Sequence, residues 1–266
     1  MKTTTYPVQL RHYLEPLFTN LRSLSSEWQV FAPPSCYLAL LDLHLLRPFL
    51  NQSIQDSVLT HLLTPEESKI FHNFTYAKRQ LEWLGGRIAA KYALHRVRCA
   101  TKNVSSRLLM HSILPDRHGR PQVIPRPAES PAACVSISHS SGYAAAIACI
   151  KGVCGVDIQQ KTPVLHRVQK RFADKEEIDA FGAFPQSSLT RLGLLWSAKE
   201  AIKKCLLPEH PSFLGTVKLV SVCYLEQERI WTGRFSLIHP VRDHVMVRMG
   251  EMDQHLIACT WGENNA

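Results

Sequence analysis

Apolar positions along this chain fall into two alternating patterns, short runs suited to strands and longer stretches with helical spacing. CYLALLDLHLL at 36–46, residues 104–113, 122–124, CVSIS at 134–138, and Tyr143–Ile150 read as strands. So does Gly155–Gln159, where Asp157 stands on the opposite face from Val156 and Ile158. Thr64-Pro65-Glu66-Glu67 reads as a helix start, with Thr64 as N-cap and Pro65 at the first helical position. A longer helix is predicted over 78–98, with Arg79, Trp83 and Arg87 on one side and Lys91 a turn beyond. Gly85-Gly86 inside it costs about 1 kcal/mol per glycine unless a neighbour must approach the backbone. Further helices are predicted over 164–173, 174–181 and 187–206, then strands near 214–224, 229–237, 243–249 and 255–261. Residues 1–35 are polar, carry four prolines and read as an extension with one short helix. The fold class is therefore α+β: two halves of similar pattern, each with helices followed by antiparallel strands. The division is 1–60 (extension and first elements), 61–153 and 154–266. No close internal sequence repeat accompanies it.

Composition narrows the class. At 45% apolar and 20% charged residues, the 266-residue chain has what a globular protein needs for a core. The apolar segment at 36–50 is broken by Asp42, His44 and Arg47, so no membrane span is expected, and no apolar run follows Lys2 as a secretory signal would require. None of the eight cysteines forms a C-x-x-C pair, which favours reduced core thiols in a cytoplasmic protein over disulfides or zinc. The net charge is +9, and residues 78–126 alone hold eleven Lys or Arg against Glu82 and Asp116, matching that whole excess. This concentration suits an anionic partner. Nucleic acid is not expected: no binding motif is present, and with few aromatics beside Trp83 and Tyr92 there is no stacking platform for bases.

The chemistry centres on Trp196–Lys204, WSAKEAIKK. Ser197 stands three residues before Glu200, the spacing of a capping box. On a helix Glu200 would lie beside Lys199 and Lys203, with Trp196 as an anchor. Asp157 and Glu200, from separate elements, are a donor pair suited to Mg²⁺ together with phosphate oxygens and water. Ser138-His139 resembles a hydrolase pair only superficially. Neighbours on a strand point to opposite faces, and G-x-S-x-G is missing.

GVDIQ, WSAKEAIKK about forty residues later and SISHS about twenty residues earlier together resemble the 4′-phosphopantetheinyl transferases of the surfactin-synthetase-activating type. RQLEWLGGRIAAKYAL and the HGRP turn are similar to the subgroup containing the enterobactin-synthase transferases. The resemblance runs from about 64 to 261. It implies a pseudo-twofold monomer with its active site between the halves. Such an enzyme moves the phosphopantetheine arm of coenzyme A to a serine of an acyl or peptidyl carrier protein, releasing 3′,5′-ADP. By match, Asp157 and Glu200 would hold Mg²⁺, Glu200 would deprotonate the serine, and Lys203 would meet the pyrophosphate. Ser138 and His139 would bind the 3′-phosphate side of coenzyme A, with Gly119, Arg120 and Pro121 near the adenosine and Arg79 and Arg87 completing the phosphate site.

Gln159 departs from the pattern, since many relatives carry Glu there; its amide can meet the metal directly or through water. A carboxylate beside Mg²⁺, Lys199 and Lys203 is expected to have a depressed pKa and to be a poor base. Either Glu200 or a metal-bound water would then take the serine proton. The alternative from another class is a non-catalytic coenzyme A- or nucleotide-binding module, which needs no converging carboxylates.

Overall fold

A computed structural model describes residues 8–50, 58–101, 111–124, 133–182, 186–210, 212–238 and 242–262. Most of the predicted strand at 104–113 lies outside those residues; its end appears as β2 (Ser112–Pro115), paired with β3 (Pro121–Ile124). In the turn between them Asp116 accepts the backbone N–H groups of His118 and Arg120, and Gly119 takes a φ of +81° that disfavours a side chain.

The first half is built on an antiparallel sheet ordered β1 (Cys36–Asp42), β5 (Tyr143–Cys149), β4 (Cys134–Ser140). The central strand is a run of small apolar residues because it is covered on both faces. Ala144, Ala146 and Ala148 meet helix α3 (Ala77–Thr101), while Ala145 and Ile147 face the other half of the molecule. The glycine pair of α3 has the expected cause. A Cβ on Gly85 would meet Leu43 Cδ2 at 2.1 Å, and one on Gly86 would meet Ile137 Cγ2 at 2.7 Å. The strand predicted over 36–46 stops at Asp42 and gives way to a 3₁₀ stretch, Leu43–Leu50.

The second half carries a five-stranded antiparallel sheet ordered β6 (Val153–Gln160), β10 (His255–Gly262), β9 (Arg242–Met252), β8 (Ile230–Leu237), β7 (Val217–Leu225). Helices α4 (Val164–Phe172), α5 (Lys175–Ala180) and α6 (Ser188–Leu206) contribute to the core on one side of it. A separate core joins the halves: Leu38, Leu40 and Ile147 pack with Val156, Ile158 and Ile257. The fold is α+β, as the sequence predicts.

Helix α1 (Val8–Glu27) is 20 residues long, not short, and buries Leu14, Leu17 and Leu21. Trp28 and Phe31, which follow it, pack against Gly250 of β9, and Arg248 donates to the Val30 carbonyl. Residues 14–49 thus contribute to the core of the first half and to the core that joins the halves.

One set of contacts occurs twice. Thr64 and Glu67 form a capping box on α2 (Pro65–His72). Glu67 is fully buried; it accepts Lys91 Nζ at 2.5 Å and the Ile113 N–H at 2.8 Å. Lys91 Nζ also donates to the Leu62 carbonyl at 3.0 Å. In the second half Asp174 and Glu177 form the capping box on α5. Glu177 accepts Lys199 Nζ and the Leu219 N–H, both at 2.7 Å, and Lys199 donates to the Phe172 carbonyl at 2.6 Å. Burial holds both lysines below the usual lysine pKa, opposed by their glutamates.

Two expectations are corrected here. Ser197 is not an N-cap: α6 is capped by Ser187, whose hydroxyl accepts the Thr190 N–H, and Ser197 is buried inside the helix. Lys199 is not beside Glu200 at a site, because successive residues on a helix project about 100° apart, and its ammonium group is buried on Glu177.

Candidate functional site

Helix α6 lies close across β6 because of Gly155. A Cβ there would stand 2.0 Å from the Ala201 carbonyl oxygen and 2.9 Å from Cys205 Cβ. That approach brings Glu200 and Lys204 of the helix to Asp157 of the strand. Lys204 Nζ donates to Asp157 Oδ1 at 2.8 Å and to the Val156 carbonyl at 3.0 Å. Ser138 of β4 donates to the same Oδ1 at 2.8 Å. Asp157 is 6% exposed, and its Oδ2 is buried without a hydrogen-bond partner among the described residues.

Glu200 is half-buried, and its pKa is raised, first by burial and then by the negative charge of Asp157; Lys204 and then Lys203 oppose this. Burial and the Asp157 charge together outweigh these two lysines, and Lys199, expected beside Glu200, is turned to Glu177. Asp157, with its unsatisfied oxygen, and Glu200, whose pKa the Asp157 charge helps to raise, form a donor set that fits a divalent cation. Gln159, two residues along β6 from Asp157, shares its face of the strand, and its amide nitrogen donates to the Gln160 carbonyl at 3.1 Å. Among the described residues no group of three or more His, Cys, Asp or Glu is placed to hold a metal.

The opposite face of β4 forms a second part of the site. His139 points to α3, where Arg79 Nη1 lies 3.3 Å from its Nε2 and Glu82 Oε2 lies 3.7 Å from its Nδ1. Arginine can only donate, so Nε2 accepts and the ring proton sits on Nδ1, towards Glu82. Burial lowers the His139 pKa, Glu82 opposes, and Arg79 and Lys204 lower it further. Arg79 lies over Phe74 and Arg87 over Trp83, 5.6 and 4.7 Å from the ring centroids. Arg87 is buried, its Nε has no partner among the described residues, and burial lowers its pKa to about 10. Lys91, expected on the same basic face, is instead the buried partner of Glu67.

The structure thus brings together Asp157, Glu200, Lys204, Ser138, His139 and Arg79. Lys203 is a weaker neighbour of Glu200 than Lys204 is. Arg120 bonds Asp116 at 3.2 Å, and its charge is felt at Cys134, the opposite end of β4 from His139, after the larger influences of Cys154 and burial. Pro121 opens β3, which packs beside β4. Lys204 and Glu82 were not singled out from sequence. Lys204 carried a signal, as the second of two adjacent lysines one turn after Glu200. Glu82 carried only its place between Arg79 and Arg87.

The family model of the 4′-phosphopantetheinyl transferase superfamily matches residues 153–259. The holo-[acyl-carrier-protein] synthase of Bacillus pumilus (strain SAFR-032) is 36% identical over 96 residues, which are 35% of this chain and 77% of that protein. The chain belongs to the 4′-phosphopantetheinyl transferase superfamily. The family match covers β6 to β10, and so Asp157, Glu200 and Lys204 but not Arg79 or His139. Two solved structures are also similar. A holo-(acyl-carrier-protein) synthase from Bacillus anthracis str. Ames, in complex with CoA (3′,5′-ADP), has 22% identity and a TM-score of 0.36, covering 43% of this chain and 92% of that one. The holo-[acyl-carrier-protein] synthase of Neisseria meningitidis has 20% identity and a TM-score of 0.37, covering 44% and 97%.

Proposed function

We propose that this protein transfers the 4′-phosphopantetheine arm of coenzyme A to a serine hydroxyl of an acyl or peptidyl carrier protein, releasing 3′,5′-ADP. We place it with the surfactin- and enterobactin-synthase-activating type of the superfamily. The observation that carries the reading is Asp157, with an Oδ2 buried and unpartnered among the described residues, beside Glu200 of another element and held by Lys204. The carboxylates Asp157 and Glu200, with Gln159 alongside, would hold Mg²⁺. When bound, Mg²⁺ would offset pyrophosphate charge.

The remaining roles follow from the chain's own groups. Lys204, fixed on Asp157, offers a positive charge to the leaving 3′,5′-ADP. Arg79 and His139 present donors for phosphate oxygens, with Arg87 behind them. Attack at phosphorus needs the hydroxyl aligned and charge neutralised more than it needs a strong base. Glu200, the half-buried carboxylate beside Asp157, is assigned the serine proton, directly or through a water.

The carrier docks, on this reading, against α4. That helix begins a few residues after Gln159 and exposes His166, Arg167, Lys170 and Arg171, while Leu165 and Phe172 are buried. The subgroup, the monomeric state and the pseudo-twofold belong to the same proposal; the duplicated Glu67–Lys91 and Glu177–Lys199 contacts support the last.

The test is mass analysis of an apo carrier protein incubated with coenzyme A, Mg²⁺ and this protein. A phosphopantetheine adduct on the carrier serine is expected. Binding of coenzyme A without any adduct on a range of apo carriers would instead support a non-catalytic binding module.

A further inference from the structure

β4 and β6 are edge strands of different sheets, yet they lie side by side. Two of their contacts share an offset of twenty residues, so the strands run parallel. Ser136 Oγ accepts the Val156 N–H at 3.2 Å, and Ser140 Oγ accepts the Gln160 N–H at 3.0 Å. These hydroxyls take the place of a backbone ladder and satisfy N–H groups on an otherwise open edge. Ser138 stands midway between them on the same face of β4. It donates to Asp157 Oδ1, the oxygen that Lys204 also holds.

A serine hydroxyl has one proton to donate. The Ser138 hydroxyl donates its one proton to Asp157 Oδ1, so it is not available to a phosphate oxygen, the role the family resemblance implied. We infer that Ser138 is a positioning residue for Asp157, and that the seam of Ser136, Ser138 and Ser140 turns Oδ2 into the cation-facing oxygen. With Oδ1 fixed by two donors, the carboxylate cannot rotate to exchange its oxygens. The flanking serines fix the register of β6 against β4 on either side of it. This inference rests on the proposed Mg²⁺ role of Asp157 and goes beyond it by removing Ser138 from the coenzyme A phosphate site.

The experiment titrates Mn²⁺ into protein saturated with coenzyme A, without carrier, following free Mn²⁺ by electron paramagnetic resonance. The same variants are assayed for binding of coenzyme A against dephospho-coenzyme A. Ser138→Ala is expected to weaken Mn²⁺ about 10–100-fold, the usual effect of losing a partner that orients a ligand. Its preference for coenzyme A over dephospho-coenzyme A should stay unchanged. Ser138→Thr, which keeps the hydroxyl on a strand, should restore Mn²⁺ affinity to within about threefold. Ser138→Cys, nearly isosteric but a weak donor, should behave like Ala and replaces it should the Ala variant fold poorly. Ser136→Ala and Ser140→Ala should lower the melting temperature more than they change Mn²⁺ affinity.

Wild-type Mn²⁺ affinity in the Ala and Cys variants would overturn the inference. So would loss of the preference for coenzyme A with Mn²⁺ binding intact, which would return Ser138 to the phosphate. Neither readout needs turnover, so a protein that fails to modify any carrier would sink the transferase reading while the role of Ser138 is still decided.

Discussion

Lys204, rather than the neighbouring Lys203, holds Asp157: its ammonium nitrogen is 2.8 Å from Oδ1. The two lysines project about 100° apart on α6, and only the second faces β6. Lys204→Ala should lower kcat/KM by roughly 10- to 100-fold, the scale of one lost charge-assisted contact of about 1.5–3 kcal/mol. Lys203→Ala should cost less than about fivefold, about 1 kcal/mol. Steady-state kinetics with apo carrier and coenzyme A would check this, and equal losses would remove the distinction.

Asp157→Ala and Glu200→Ala should each abolish turnover while leaving the circular dichroism spectrum unchanged, because neither side chain is needed to close a core. Gln159→Ala should be milder, about tenfold or 1.4 kcal/mol. Gln159→Glu should lower the Mg²⁺ concentration for half-maximal rate by adding a charge on the Asp157 face of β6. Rate against Mg²⁺ concentration for all four variants is the measurement. Near-normal Mg²⁺ dependence in Asp157→Ala would refute the site.

The cationic face of α4 gives a prediction about association. Reversing Arg167 and Lys170 to Glu should lower kcat/KM for an acidic carrier about tenfold and leave coenzyme A binding intact. Rising salt should reproduce the loss in the wild type, because screening shortens the Debye length from about 10 Å at 0.1 M to about 3 Å at 1 M. A carrier dependence that stays flat in both experiments would move the docking surface elsewhere.

His255 links pH to stability. It is 5% exposed and lies edge-on to Tyr143, with ring centroids 5.0 Å apart. Its ring nitrogens approach the backbone of Ser140 and Ser141 without reaching good hydrogen-bond geometry. Burial holds its pKa below the usual histidine value of 6.5. The unfolded chain therefore takes up a proton first as pH falls, and stability present above about pH 6.5 is lost below it. Melting temperatures measured from pH 8 to 5 should fall in that window, and His255→Gln should flatten the slope. An unchanged slope in the variant would assign the acid sensitivity to other groups, such as the half-buried His139 or His95, whose pKa values are also lowered by burial.

The strand and helix pattern was legible in the chain because each element has its own period and end signals. Thr64-Pro65, for example, marks the start of α2, and the alternation around Asp157 marks β6. Asp157 and Glu200 were found as candidates because two acids stood in opposed patterns with cations near. What was missed depends on contacts between distant segments. Lys199 looks like a site lysine until Glu177, twenty-two residues earlier in the chain, is seen to bury it. The choice between Lys203 and Lys204 depends on how α6 is rotated over Gly155, which local spacing does not encode. Ser197 has the spacing of a cap, but the helix is already capped by Ser187. Residues 8–27 are polar enough to resemble an extension, and only their packing against β1 makes them a helix of the core.

The Glu67–Lys91 and Glu177–Lys199 contacts amount to a matched pair of experiments within one polypeptide. Each joins a capping carboxylate, an ammonium group from the long helix, a carbonyl before the cap and a strand N–H after it. Removing one partner of such a pair elsewhere costs about 3–5 kcal/mol, whereas replacing both with apolar groups is often neutral. Here the two substitutions can be made at equivalent positions under identical solvent, temperature and denatured-state conditions. Any difference between them then reports the surroundings, because the ionised partners are the same. The half that retains its ion pair serves as the reference for the half that has lost it.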